Sequence, residues 1–156
     1  NNWVNNPVFS RRGITMIEKA KLNDLEEVYE LICILEQKQL NKAHFDKVFQ
    51  EGIQNEDVEY LVYRKDEKIL GFLSFSIHHY LHHDNDTGEI VELVVMPEHR
   101  GLRIGEKLLQ AIEDIARERK LEQIELSTST YRKKAHHFYE VHGYIKDHYN
   151  YTKNIK

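Results

Sequence analysis

The chain has 156 residues, 40% of them hydrophobic and 31% charged, with two prolines and a net charge of −4. That is the composition of one ordinary globular domain. It is too acidic for nucleic acid as main partner, and it lacks the run of roughly 20 apolar residues that a membrane span requires. The lone cysteine, Cys33 in "ELICILE", excludes an internal disulfide and reads as a buried structural thiol. No signal-peptide pattern is present, so a cytoplasmic location is expected.

Residues 1–15, Asn-rich and carrying Arg11–Arg12, read as an N-terminal extension or the remnant of an added segment, ahead of a domain over 16–156. "TMIEKAK" alternates as a short strand. Asn23 and Glu26 then form a capping-box pattern for a helix through about Gln39, with Leu25, Val28, Leu31, Ile32 and Leu35 at helical spacing. A second helix is expected from Lys42 to Gln50, with Phe45, Val48 and Phe49 on one face. "VEYLVYR" and "ILGFLSFSIHHYL", separated by the polar "KDEK", predict a hairpin. "EIVELVVM" is the next strand, ended by Pro97. A helix follows from about Arg103 to Arg119, then a strand in "LEQIELST", a helix in "KKAHHFYEVH" closed by Gly143, and a last alternating strand in "YIKDHYNYTKNI". The order β-α-α-β-β-β-α-β-α-β predicts an α+β fold, a mixed sheet flanked by helices.

The segment "HRGLRIG", Arg100 among its residues, places Gly101 and Gly105 with Arg103 immediately ahead of a helix. Unpaired N–H groups and the dipole at a helix start favour phosphate, so a pyrophosphate cradle is one reading. A tight strand-to-helix connection with solubilising arginines is the other, because short glycine patterns carry little specificity.

The stretch Arg100-Gly101-Leu102-Arg103-Ile104-Gly105 resembles the R/Q-x-x-G-x-G/A motif of the GCN5-related N-acetyltransferases, with Arg103 in place of the central glycine. Ala135-His136-His137-Phe138-Tyr139-Glu140-Val141-His142-Gly143-Tyr144 matches that family's A-x-x-F-Y-x-x-x-G-[FY] in full. Over nearly the whole domain, "HHYLHHDNDTGEIVELVVMP" and "ELSTSTYRKKAHHFYEVHGY" further resemble the aminoalkylphosphonate N-acetyltransferases. The resemblance implies a splayed sheet and acetyl-coenzyme A (acetyl-CoA) as cosubstrate. It implies direct attack by a primary amine in a ternary complex, and a homodimer fits the family.

By the same resemblance, backbone N–H groups of Val94, Val95 and Met96 face the cofactor, and residues from Arg100 through Leu102 and Ile104 to Glu106 hold its pyrophosphate. Tyr139 takes the place of the family's proton donor to the leaving thiolate. Arg132 stands where the family often has an asparagine, and Ser129 nearby offers a hydroxyl to the cofactor arm. Cys33 belongs to the first helix, so no acetyl-cysteine intermediate is implied.

Acetyl transfer also needs a base. Glu89 and Glu92 lie three apart on the fourth strand, where regular pleating sends them to opposite faces unless a bulge intervenes. Glu92, nearer the splay, is the expected base, with Glu89 behind it. His78, Tyr80 and His82 share a strand face with Ser74 and Ser76, and His79 falls on the other. With His83, Asp84 and Asp86, these histidines read as a polar loop edge, as an acceptor pocket for an anionic phosphonate, or as a metal site. The resemblance favours the pocket, and no metal ligand is assigned. Acidic clusters instead suit polyamines, and other amino acids or a protein lysine are further acceptors. A non-catalytic acetyl-CoA-binding regulator is the rival of another class.

Overall fold

The computed structural model describes residues 15–101 and 103–156, so the expected extension falls outside the described residues up to residue 14, as does Leu102. The elements are β1 (Thr15–Lys19), α1 (Leu25–Glu36), α2 (Lys42–Gln54), β2 (Val58–Lys65), β3 (Lys68–His78), β4 (Thr87–Val95), α3 (Ile104–Glu118), β5 (Ile124–Leu126) and α4 (Lys133–Val141). The chain divides into two compact units, one ending at Glu125 and the other spanning Leu126–Lys156.

In the first unit β1, β2, β3 and β4 pair antiparallel in sequence order. β5 completes the order beside β4, where Glu122 N–H donates to the Asp86 carbonyl and Gly88 N–H to the Gln123 carbonyl (both 3.0 Å). Those two bonds advance along both segments in the same direction, so the sheet is mixed. β3 is buried at almost every position because both faces of the sheet are covered.

Val62, Phe72 and Val94 are cross-strand partners, and they pack with Val28, Leu31, Ile32 and Phe49 of α1 and α2. On the opposite face Ile104, Leu108, Leu109, Ile112 and Ile115 bury the predicted inner stripe of α3. Gly71 is required there: a Cβ would come 2.8 Å from Ile104 Cγ2.

Several local expectations change. α1 is introduced by a 3-10 turn, Leu22–Asp24, and the carboxylate that accepts from the backbone is Asp24, from Lys21 N–H at 2.8 Å. Asp24 also pairs with Arg64, which holds Glu18 as well, so a buried acid satisfies a helix start and a cross-strand cation together. The expected Asn23/Glu26 box is therefore not the cap. α1 stops where Gln37 turns left-handed (φ 58°), short of Gln39.

α2 runs on to Gln54 because Phe45, Phe49 and Ile53 form its packing stripe, while Val48 is exposed rather than inward. Cys33 is half-buried. The expected last strand is absent: residues after Gly143 have no strand assignment, and Ile145, Tyr149, Tyr151 and Ile155 are exposed. Alternation of apolar and polar side chains shows that a segment could pleat, but a strand also needs a neighbour's N–H and C=O groups.

Candidate active site

The sequence left Glu89 and Glu92 on opposite faces, and the backbone resolves this. Ser74 pairs with Glu92, but the next residue, Phe75, pairs with Ile90, so Val91 is an extra residue in β4. A bulge of this kind restarts the alternation and turns both carboxylates to one face. The hydrogen bonds agree. Ser74 Oγ–H donates to Glu92 Oε2 at 2.7 Å, Glu92 N–H donates back to Ser74 Oγ at 3.0 Å, and His78 Nε2–H donates to Glu89 Oε1 at 2.8 Å.

Burial raises the Glu92 carboxyl above its ordinary pKa. The Ser74 hydroxyl opposes that shift, and the charges of Glu36 and Glu89 add to it. Tyr60, half-buried on the same face, is raised by desolvation and by Glu92. Glu92 is thus a half-buried carboxylate with a proton affinity displaced toward neutrality, as a general base needs.

Around it the histidines separate into two groups. His78 stacks on Tyr80 (5.1 Å between ring centroids), Tyr80 meets His82 and His83 (5.2 and 5.9 Å), and His82 and His83 lie 4.5 Å apart. His83 Nδ1 donates to Glu122 Oε1 at 3.1 Å, and Tyr80 O–H donates to Glu125 Oε1 at 3.3 Å. His79 instead bonds Asp86 through Nδ1 (2.8 Å) and Asp57 through Nε2 (2.9 Å), and these bonds raise its pKa, Asp57 first. Strand parity separates His78, Tyr80 and His82 from His79 in the same way, but it does not place His83, which lies in the turn beyond the end of β3 at His78. Glu36 and Glu125 were not anticipated, because parity says nothing about which distant elements lie beside a strand.

The segment after β4 is built from unusual backbone. Pro97–His99 forms a 3-10 turn, Gly101 has φ +98°, and Arg103 has φ 60° as N-cap of α3. A left-handed conformation costs a non-glycine residue about 1–2 kcal/mol. Arg103 therefore takes the conformation that the family's central glycine would adopt freely, and the replacement does not prevent the left-handed turn. The N–H groups of Ile104 and Gly105, in the first helical turn, have no intrahelical carbonyl. Arg100 and Arg103 are exposed beside them, and Arg103 reaches Glu106 at 3.9 Å. Open space above Gly101 and a helix start flanked by two guanidinium groups fit a pyrophosphate.

The expected row of free N–H groups is narrower than the sequence suggested. Met96 N–H donates to the Leu70 carbonyl at 2.8 Å, and antiparallel alternation then aims Val94 N–H toward β3 as well. Val95 N–H points to the other edge, where three-residue β5 accompanies only the start of β4.

In the second unit, α4 carries the matched motif. Tyr139 is half-buried against Phe138 (5.2 Å) and Tyr144 (5.8 Å). Burial pushes its pKa up to about 12, with Arg132 opposing. Gly143, at φ +89°, closes the helix, and Tyr144 N–H returns to the Tyr139 carbonyl (3.0 Å). The Ser129 carbonyl accepts from Arg132 N–H (3.0 Å) and His136 Nε2–H (2.8 Å), which fixes the approach to α4.

A mixed sheet with a left-handed strand-to-helix turn and a bulged, carboxylate-bearing β4 is consistent with an acyl-transfer domain, and sequence comparison shows the family. The model of the acetyltransferase (GNAT) family matches residues 25–144, and the chain belongs to that family. It is an acyltransferase of the N-acetyltransferase type. The aminoalkylphosphonate N-acetyltransferase of Salmonella typhimurium (strain LT2) is 37% identical over 139 residues, 89% of this chain and 90% of that protein. The crystal structure of a transcriptional regulator from Bacillus halodurans C-125 shares the fold with a TM-score of 0.84 at 23% identity, covering 90% of this chain and 99% of that one. An aminoglycoside N-acetyltransferase, AAC(6')-Iy, solved in complex with CoA, does so at 0.81 and 16%, covering 95% and 100%. Among the described residues no helix is long and apolar enough to cross a membrane.

Proposed function

We propose that the protein transfers the acetyl group of acetyl-CoA to the primary amine of an aminoalkylphosphonate. The observation that carries the acceptor is the 37% identity to the Salmonella enzyme over almost the full length of both chains.

In this reading the turn from Arg100 through Arg103 into α3 binds the pyrophosphate through backbone N–H groups and two guanidinium groups. Val95 N–H is the donor available to the thioester oxygen as charge develops on it. Glu92, held by Ser74, accepts the proton that the ammonium must lose before attack. Tyr139 is assigned to the leaving sulfur on its place in the motif. With a pKa of about 12, against about 8.5 for an ordinary thiol, its phenol stays protonated at neutral pH. It stabilises the developing thiolate as a hydrogen-bond donor before any full transfer. His78, His82 and His83 with Tyr80 form the rim offered to the acceptor, and His79 ties the β3–β4 turn.

One observation favours a second acceptor. Glu36, Glu89 and Glu92 act electrostatically on the same face, and Glu125 adjoins it through Tyr80, an arrangement suited to a polycationic amine. Initial rates of thiol release from acetyl-CoA with aminoalkylphosphonates, polyamines, amino acids and a lysine peptide separate the two. Preference for the phosphonates supports the proposal. Preference for polyamines replaces the acceptor, and no release with any amine removes the enzymatic role.

A further inference from the structure

After α4 the chain runs straight. From Tyr144 to Lys156 it makes no turn or bend, none of these residues has a positive φ, and every residue from Ile145 onward is exposed. The root of this arm is fixed, since Tyr144 N–H bonds the Tyr139 carbonyl and the two rings pack together. At about 3.3 Å per residue, 145–155 reaches about 36 Å. Ile145, Tyr149, Tyr151 and Ile155 are between 82% and 90% exposed. All four hold odd-numbered positions, so on an extended chain they share one face, with Asp147 and Lys153 between them. The arm has the pattern and the conformation of a strand, and what it lacks among the described residues is a neighbouring strand.

The sequence of the arm says which neighbour fits. When two copies lie antiparallel about Asn150, residues equally distant from it face each other. Tyr149 then meets Tyr151, Asp147 meets Lys153, and Ile145 meets Ile155. On the other face His148 meets Thr152 and Lys146 meets Asn154. Aromatic faces aromatic, aliphatic faces aliphatic, and the arm's one acid faces a lysine. His148 Nδ1–H donates to Asp147 Oδ1 at 2.6 Å, which leaves Oδ2 for that lysine.

Neighbouring registers lose the match. Centring on Tyr149 sets Lys153 against Ile145, and centring on Tyr151 sets it against Tyr149. A centre between two residues puts the apolar face of one arm opposite the polar face of the other. The register about Asn150 is also isologous, because each pair occurs twice with the two chains exchanged, as a two-fold dimer requires.

We propose that two copies of this chain associate through residues 145–155, as an antiparallel ribbon centred on Asn150. The occupant is a second copy rather than a lipid or an unrelated chain, because only a second copy uses the complementarity between the two halves of one arm. A two-stranded ribbon needs further apolar surface for stability, and Tyr131 and Val141, exposed in the same unit, add to what the arm carries. The inference is independent of the proposed acceptor.

Sedimentation equilibrium of the full chain, with no acetyl-CoA and no amine present, measures the dimer. Asp147→Lys sets lysine against lysine and Lys153→Asp sets acid against acid, so each variant alone should dissociate about tenfold more readily than wild type. An equimolar mixture of the two variants should regain the wild-type affinity as a heterodimer, since each arm then brings the charges that the other needs. In a Cys33→Ala background, Asn150→Cys should form a disulfide between chains on oxidation, because the two copies of that residue face each other at the two-fold axis. Lys146→Cys should not, because its two copies lie about 27 Å apart. A chain that stays monomeric, a dimer that neither charge reversal weakens, a mixture that forms no heterodimer, or cross-linking at 146 as ready as at 150 overturns the proposal.

Discussion

Glu92 concentrates the conflict between folding and chemistry in one side chain. Its carboxyl is half-buried and feels the charges of two other acids, so its pKa in the folded chain lies above the unfolded value. The folded state then holds the proton more tightly than the unfolded state. The resulting destabilisation is absent below the unfolded pKa of about 4.3, grows as pH rises from there to the folded pKa, and is constant above it. Glu92→Gln keeps an acceptor for the Ser74 hydroxyl and removes the charge. Thermal melts should show the variant more stable than wild type at pH 7, with the difference gone by about pH 4, while kcat falls by about 10²–10⁴-fold. A variant that melts lower at pH 7 would contradict the assignment of Glu92 as a strained functional acid. In the wild type kcat should fall as pH drops through the raised Glu92 pKa. Tyr139→Phe should lower kcat with little change in the KM of the amine, because the phenol is assigned to the departing sulfur; equal rates for both proteins would remove that role.

At the scale of elements, the two decisive features are irregularities. Arg103 holds a left-handed N-cap where glycine would sit without strain, so Arg103→Gly should leave the melting temperature unchanged or raise it. The expected gain is at most about 1 kcal/mol, since glycine's greater unfolded-state freedom offsets part of the relief. KM for acetyl-CoA should rise severalfold as a phosphate-facing cation is lost; an unchanged KM would assign Arg103 to the turn alone. The His79 clamp between Asp57 and Asp86 fastens the β3–β4 turn to the start of β2. Because these bonds raise its pKa, its contribution is fully present below about 6.5 and fades as pH climbs through the folded value. His79→Gln should therefore narrow the gap in melting temperature between pH 6 and pH 8, and a gap of unchanged size would show the clamp to be inert.

The first three helices and the first four strands were legible in the sequence because periodicity reports burial, and each of these elements is buried on one or both faces. The bulge at Val91 was not, since an inserted residue leaves no mark in a run such as "EIVELVV". Without it, Glu89 and Glu92 could not be placed together. The strand expected at 144–155 failed for the opposite reason: a clear alternation in a segment with no strand pairing among the described residues. The family was legible where a motif spells it out, at Arg100–Gly105 and at Ala135–Tyr144. The candidate site was illegible where it depends on neighbours distant in sequence, as Glu36 and Glu125 are.

For the whole molecule, the fold and the family fix acyl transfer, and the acceptor is the open claim. The face around Glu92 is acidic, the nearest rings are histidine and tyrosine, and the 37%-identical Salmonella relative is an aminoalkylphosphonate N-acetyltransferase. The most direct measurement incubates the protein with acetyl-CoA and an equimolar mixture of an aminoalkylphosphonate and a polyamine, and identifies the acetylated products by mass spectrometry. The account predicts the N-acetylated phosphonate as the dominant product, and its loss in Glu92→Gln. An acetylated polyamine with the phosphonate untouched would contradict it.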